Sequence, residues 1–254
     1  MEELPFISCK CITYGRVSTL EESVESFLKQ DYPADKCELI IVNDYPLQTL
    51  IFDHPQVKIV NLKETFTTIG EKENFATELC QGDIVCQWDD DDIALPNHLK
   101  NVAKFMQPDV NIIHWYGVYF NGDNITDIIF LGNSGIVFRK TAWKAIGGHP
   151  LENAGYDMTF IERLHVNGGL QFANPPKEEV SWFYMWGDRG YHMSGQGTDV
   201  PGKPNVIIRH SIYIESQRQL GNIPTGDILL KPNWKRNYKK MLEDYVLEYN
   251  NSLQ

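Results

Sequence analysis

The sequence predicts an α/β fold on a doubly wound sheet, and three observations in its first hundred residues carry that prediction. Short apolar, β-branched runs alternate with runs of helical period. The run 37–42 (CELIIV) is short, apolar and β-branched, as expected of a parallel strand covered on both faces. Polar and acidic residues collect where the runs end: Asn43-Asp44 after the second and Asp89-Asp90-Asp91-Asp92 after the fourth. In doubly wound sheets ligands sit outside the carboxyl ends of the strands, so both groups are expected to face one crevice.

The elements follow in order. Residues 6–12 read as the first strand. Ser18 and Glu21 have capping-box spacing, and Leu20, Val24, Phe27 and Leu28 recur at helical spacing until Tyr32-Pro33 ends the run. Residues 37–42 (CELIIV) form a buried strand, 57–60 a third, and 84–88 a fourth. Between the last two, 71–80 reads as a helix closed by Gln81-Gly82. The second half is less regular. Strands are expected over 112–120, 135–138 and the aromatic run 182–186, and helices over 156–166, 211–220 and 231–249. Residues 187–205 hold five Gly and two Pro and read as a long loop, a candidate lid. With no internal repeat and no clear linker, the expected organisation is one domain over 1–225, in halves 1–100 and 101–225. A helical extension follows over 226–254.

Bulk properties narrow the function classes. The 254 residues are 42% hydrophobic, enough for one large core. A formal net charge of −11 argues against a nucleic-acid footprint, although a metal ion can supply local positive charge for a nucleotide. Five cysteines without a Cys-x-x-Cys pair read as buried thiols in a reducing, cytoplasmic compartment. The acidic start Met1 to Pro5 reads as no secretory signal, and no run of transmembrane length is found.

Four consecutive carboxylates repel one another. In an extended segment Asp89 and Asp91 would face one way, and Asp90 and Asp92 the other. A hard, oxygen-ligated cation such as Mn²⁺ or Mg²⁺ would neutralise such a pair. The bland alternative is a solvated acidic turn; the position, between an apolar strand and Ile93-Ala94-Leu95-Pro96, favours a site.

The run from Gln87 to Pro96 resembles the D-x-D segment of family-2 glycosyltransferases with the GT-A fold, a Rossmann-like fold with a mixed central sheet. The opening agrees: residues 7–14 (ISCKCITY), the helix after them, Gln30-Asp31-Tyr32-Pro33, and Ile40 to Asp44. The resemblance runs continuously over about residues 5–100. It implies that Thr13, Tyr14, Arg16 and Asp44 hold the nucleotide, with Lys72 and Asn74 close by. Glu73 stands where the family usually has Arg. It also implies that Asp89 approaches the ribose or sugar and Asp91 ligates the metal, with Asp90 able to share that role. In the second half, Gly132 to Arg139 resembles the acceptor-side strand, and Ile146 to Pro150 the glycine-rich step before the helix that carries the base. Asp157 takes the place of that base, with Tyr156 where an acidic neighbour is commoner. A plainer reading of Asp157 is a carboxylate favoured by the helix dipole.

The activity implied is metal-dependent, inverting transfer of a sugar from a nucleotide diphosphate sugar, a UDP-sugar first, to a hydroxyl of a glycan or lipid-linked acceptor. Its setting would be polysaccharide or glycoconjugate synthesis. No Q-x-x-R-W signature occurs, which favours one sugar per encounter. A sugar nucleotidyltransferase is the first alternative, but Tyr14-Gly15-Arg16 holds a single Gly where a phosphate loop would need more. A non-catalytic binding module is the second, and intact Asp89, Asp91 and Asp157 argue against it. His192 is a candidate metal ligand, with His210 competing. Trp182, Phe183, Tyr184, Trp186 and Tyr191 read either as an acceptor platform or as core. Lys231, Lys235, Arg236, Lys239 and Lys240 would face an anionic membrane or simply solvent.

Overall fold

The computed structural model describes residues 3–131, 134–167, 172–173, 175–186 and 205–252. The first half runs β1 (Ile7–Thr13), α1 (Val17–Leu28), β2 (Cys37–Asn43), β3 (Gln48–Ile51), β4 (Val57–Asn61), α2 (Ile69–Leu79) and β5 (Ile84–Gln87). Next come β6 (Ile93–Ala94), α3 (His98–Phe105), β7 (Ile112–Ile113), β8 (Tyr116–Phe120), β9 (Ile125–Phe130) and β10 (Val137–Arg139). Then follow α4 (Lys140–Ala145), α5 (Tyr156–Asn167), β11 (Phe172–Ala173) and β12 (Trp182–Met185). The chain closes with α6 (Val206–Gln219), β13 (Gly226–Leu229) and α7 (Tyr238–Ser252).

The main sheet has the order β11-β7-β10-β5-β1-β2-β4. Strands β4, β2, β1 and β5 are mutually parallel, as the apolar runs predict. Strand β10 pairs antiparallel with β5 and β7, so the sheet is mixed. Every residue of β2 is buried, because helices cover both faces. Ile7, Cys9 and Cys11 of β1 pack on the α1 and α3 side, and Ile40 and Val42 of β2 on the α2, α4 and α5 side. All five cysteines are free and buried among these residues.

Three local expectations need correction. Residues 112–120 form two strands, not one: β7 belongs to the main sheet and β8 to a second sheet ordered β6-β12-β8-β9. The buried pair His114-Trp115 makes the corner. Alternating polarity reads which face a residue takes but not which sheet its strand joins. Second, Ser18 lies inside α1; Arg16 is the N-cap residue and makes no side-chain cap. Side-chain caps are made at α2, where Thr68 Oγ1 accepts from Glu71 N at 3.1 Å, and at α6, where Asn205 Oδ1 accepts from Ile208 N at 3.0 Å. Third, the last helix starts at Tyr238, later than expected, and 226–229 pairs as β13 parallel to β3. The segment after it is tied to α1: Glu21 and Glu22 accept from the backbone N–H of Lys231 and Lys235 at 2.8 and 3.0 Å. No helix among the described residues is long and apolar enough to cross a membrane.

Candidate active site

The carboxyl ends of β1, β2 and β5 converge on one cleft. Thr13 and Tyr14 reach it from β1, Asp44 from β2, and Asp89 and Asp90 from β5. Helix α2 contributes Lys72 and Glu73, α5 contributes Tyr156, and α6 closes one wall with Ile207, His210 and Ser211. The crevice expected between the two strand-end groups is therefore present.

Its inner end is a buried polar knot. Lys72 Nζ donates to the Thr13 carbonyl at 2.7 Å and pairs with Asp44 Oδ1. Asp44 Oδ2 accepts from Phe66 N at 3.0 Å. Thr13 and Asp90 both line the cleft, so the knot and the acidic turn share one wall. Tyr14 leans on Tyr45, ring centroids 4.9 Å apart.

The acidic residues divide differently from the extended pattern. Residues 89–92 form a turn, closed by a long bond from Asp92 N to the Asp89 carbonyl (3.4 Å). Asp90 and Asp91 share one partner, Arg16: Nε reaches Asp90 at 3.0 Å, Nη1 reaches Asp91 at 2.6 Å, and Nη2 also bonds Asp90. Asp89 and Asp92 share another, the Ser134 hydroxyl. Asp92 also accepts from Trp182 Nε1 at 3.0 Å and Met185 N at 2.9 Å, which fastens β12 to the turn. A turn folds residues one apart onto one side, where a strand would separate them.

Burial, then the neighbouring Asp91, pushes the Asp89 carboxyl up to about 7. Burial raises Asp90 as well, against the pull of Arg16. Asp92 lies well above the usual carboxylate range, through burial first and then Asp91 and Asp89. Four carboxylates share one turn, with Arg16 pairing two of them, and their all-oxygen donor set fits a hard divalent cation. Among the described residues no cluster of three or more ligating side chains is arranged ready for one.

Other expected residues fall into separate places. Arg16 lines the cleft but spends its guanidinium on the acidic turn. Asn74 is absent from the lining: its side chain accepts from His149 N (2.7 Å) and Trp143 Nε1 (3.1 Å) and donates to the His149 carbonyl (2.9 Å). It thus fixes the Gly147-Gly148 turn, whose φ values of +79° and +82° require glycine. A Cβ on Gly148 would sit 2.6 Å from Asn74 Oδ1. Asp157 opens α5 half-buried and accepts from its neighbour Met158 N at 2.8 Å, while Tyr156 beside it lines the cleft. His192, Tyr191 and most of the 187–205 loop lie outside the described residues. Sequence reasoning passed over Ser134, Gln87 and the Lys10–Glu73 ion pair as functional residues. Lys10 carried a signal, since a lysine at the centre of an apolar strand needs a buried partner.

This strand order, with a cleft of strand-end acids beside a buried lysine, defines a GT-A-fold protein. The chain belongs to Glycosyl transferase family 2, whose match spans residues 10–155. A Bacillus subtilis (strain 168) protein described as uncharacterized glycosyltransferase YwdF is 30% identical over 118 residues, 42% of each chain. The match thus spans less than half of that relative's length. Among solved structures, S. aureus TarS 1–349 in complex with UDP-GlcNAc superposes with a TM-score of 0.60 at 18% identity, covering 71% of this chain and 58% of that one. Pyrobaculum calidifontis mannosyltransferase PcManGT, in complex with GDP-Man and Mn²⁺, superposes at 0.59 and 20% identity, covering 87% and 71%.

Proposed function

We propose that the protein transfers a sugar from a nucleotide diphosphate sugar to an acceptor hydroxyl, with inversion at the anomeric carbon. The observation that carries this is the cleft that brings the Thr13–Asp44–Lys72 knot together with Asp89 and Asp90 of the acidic turn. The knot suits a nucleoside, offering a carboxylate, an ammonium and the aromatic walls of Tyr14 and Phe66. The ligands named in the TarS and PcManGT complexes support a nucleotide-sugar donor, and the Mn²⁺ of the second supports a divalent ion.

In this reading Asp91 and Asp89 would hold a Mn²⁺ or Mg²⁺ ion, which when bound offsets the diphosphate charge. Arg16 then gives up part of its pairing with Asp91 and keeps Asp90. Thr13, Tyr14, Asp44 and Lys72 seat the nucleoside. Asp157 takes the proton of the acceptor hydroxyl as it attacks from the face opposite the leaving group. Holding donor and acceptor together supplies proximity. The acceptor class, a glycan or a lipid-linked sugar, belongs to the same proposal.

The test is a thermal-shift screen of UDP, GDP, CDP and dTDP, each with Mn²⁺, Mg²⁺ or EDTA. One nucleotide is expected to raise the melting temperature only with metal, and Asp91→Asn to remove the metal's share. If no nucleotide stabilises the protein under any condition, the reading fails.

A further inference from the structure

One carboxylate ties the two sides of the cleft together. Glu73 of α2 is 1% exposed and lines the cleft floor. It has partners on three elements. Lys10 of β1 pairs with Oε2, Gln87 Nε2 of β5 donates to Oε1 at 3.2 Å, and Tyr156 at the start of α5 lines the cleft beside the same carboxylate and feels its charge. The Gln87 amide also donates to Asp89 Oδ1 at 2.9 Å. Hydrogen bonds therefore run Asp89–Gln87–Glu73, the Tyr156 phenol stands beside Glu73 in the cleft, and Asp157 is the next residue.

Stability alone is a poor account of this arrangement. The Lys10 and Glu73 side chains are 0% and 2% exposed, and desolvating such a pair costs about as much as its attraction returns. An apolar pair of similar volume would pack as well. What it would lack is direction: it could not aim the Gln87 amide at Asp89 or act on the Tyr156 phenol.

We infer that Glu73 is a positioning residue that sets the placement of the Asp89 carboxylate, on the donor side, relative to the first turn of α5, on the acceptor side. The inference rests on the glycosyl-transfer reading of the cleft. Its leverage comes from geometry, since a displacement of about 1 Å between reacting groups can cost on the order of a hundredfold in rate.

Two conservative variants cut one arm each and spare the Lys10–Glu73 pair: Tyr156→Phe and Gln87→Met. They are compared, singly and together, with the wild type. The measurements are melting temperature, calorimetric binding of UDP and GDP with Mn²⁺, steady-state kinetics with UDP-GlcNAc and GDP-mannose, and amide exchange across α5. With Tyr156→Phe, kcat should fall about tenfold or more while donor KM moves less than about twofold, the signature of lost transition-state placement. Amides at the start of α5 should exchange faster while those of β1 and β5 keep their protection. Because the arms meet at Glu73, the double variant should lose less in kcat than the product of the single losses. Unchanged kcat in Tyr156→Phe, even with faster exchange, reduces the tie to a structural one and overturns the inference. Multiplicative losses overturn Glu73 as the link. A wild type that neither binds nucleotide nor turns over sinks the transfer reading itself, before any variant is made.

Discussion

The two banks of the cleft are built differently. The donor bank rests on four parallel strands, and its polar residues are locked in buried pairs: Lys72 with Asp44, Lys10 with Glu73, Arg16 with Asp90. The acceptor bank rests on β7, β10 and β11, strands of two or three residues, and on β12, which belongs to the second sheet. Its candidate base stands at a helix start and bonds the backbone of its own neighbour. On the donor bank, chemistry and folding share the same side chains. On the acceptor bank they are separable, so substitutions there should read out as lost function in a folded protein.

The largest expected effect tests that separation. Asp157→Asn should lower turnover by roughly 10²- to 10⁴-fold, the usual span for a positioned general base. The melting temperature should stay near that of the wild type, because the half-buried carboxylate has one described bond, to Met158 N. Circular dichroism melts and transfer kinetics on one preparation decide it. Full turnover would remove Asp157 from the mechanism.

The donor bank should answer in the opposite way. Lys10→Met leaves the Glu73 carboxylate buried without its ion-pair partner, and stripping one partner from such a pair costs about 3–5 kcal/mol. Urea unfolding should show that loss directly. Stability within experimental error of the wild type would mean that Glu73 is held without Lys10, and the contrast between the banks would weaken.

The same contrast governs what was legible in the sequence. Strand ends on the donor bank were readable because period, burial and position coincide there: residues 37–42 end at Asn43-Asp44, and 84–88 end at the acidic run. Partners were not readable. Arg16 meets Asp90 across 74 positions, and Lys10 meets Glu73 across 63, distances over which no local pattern speaks. The resemblance of its segment put Asn74 near the nucleotide with Lys72; only Lys72 lines the cleft, since side chains two apart on a helix do not share a face. In the second half, the corner at His114-Trp115 hid the change of sheet. The Ser134 hydroxyl, shared between Asp89 and Asp92, sits in a segment read for its strand pattern.

A smaller effect sharpens the picture of the acidic turn. Burial, then Asp91, holds Asp89 near 7, whereas a bound cation requires the ionised carboxylate. Proton and metal therefore compete, and the sign follows: metal affinity rises with pH up to about 7 and flattens above it. Below that point the loss should approach about tenfold per pH unit for one displaced proton. Mn²⁺ titrations by calorimetry at about pH 6 and about pH 8, in buffers of different ionisation enthalpy, should show proton release at the lower pH only. Equal affinity at both would mean that Asp89 is not a ligand.

The smallest effect concerns the basic stretch before and within α7, where a membrane contact and a solvated face are rival expectations. Three of its four lysines have acidic partners within the chain. Lys235 lies 3.1 Å from Glu22, Lys239 lies 3.9 Å from Glu243, Lys240 lies 2.8 Å from Asp244, and Arg236 covers the Phe120 ring. The Lys239 and Lys240 pairs are exposed and spaced i,i+4, so each contributes little, and less at high salt. A surface that neutralises most of its own lysines offers little net charge to anionic lipid, where each unpaired basic residue is worth about 1 kcal/mol. Lys239→Ala with Lys240→Ala should therefore leave the urea unfolding midpoint close to that of the wild type and leave sedimentation with phosphatidylserine vesicles unchanged. Loss of vesicle binding in that variant would show that the lysines leave their acidic neighbours for the lipid, and would make this face, and not the cleft's acceptor bank, the place where a lipid-linked acceptor is first met.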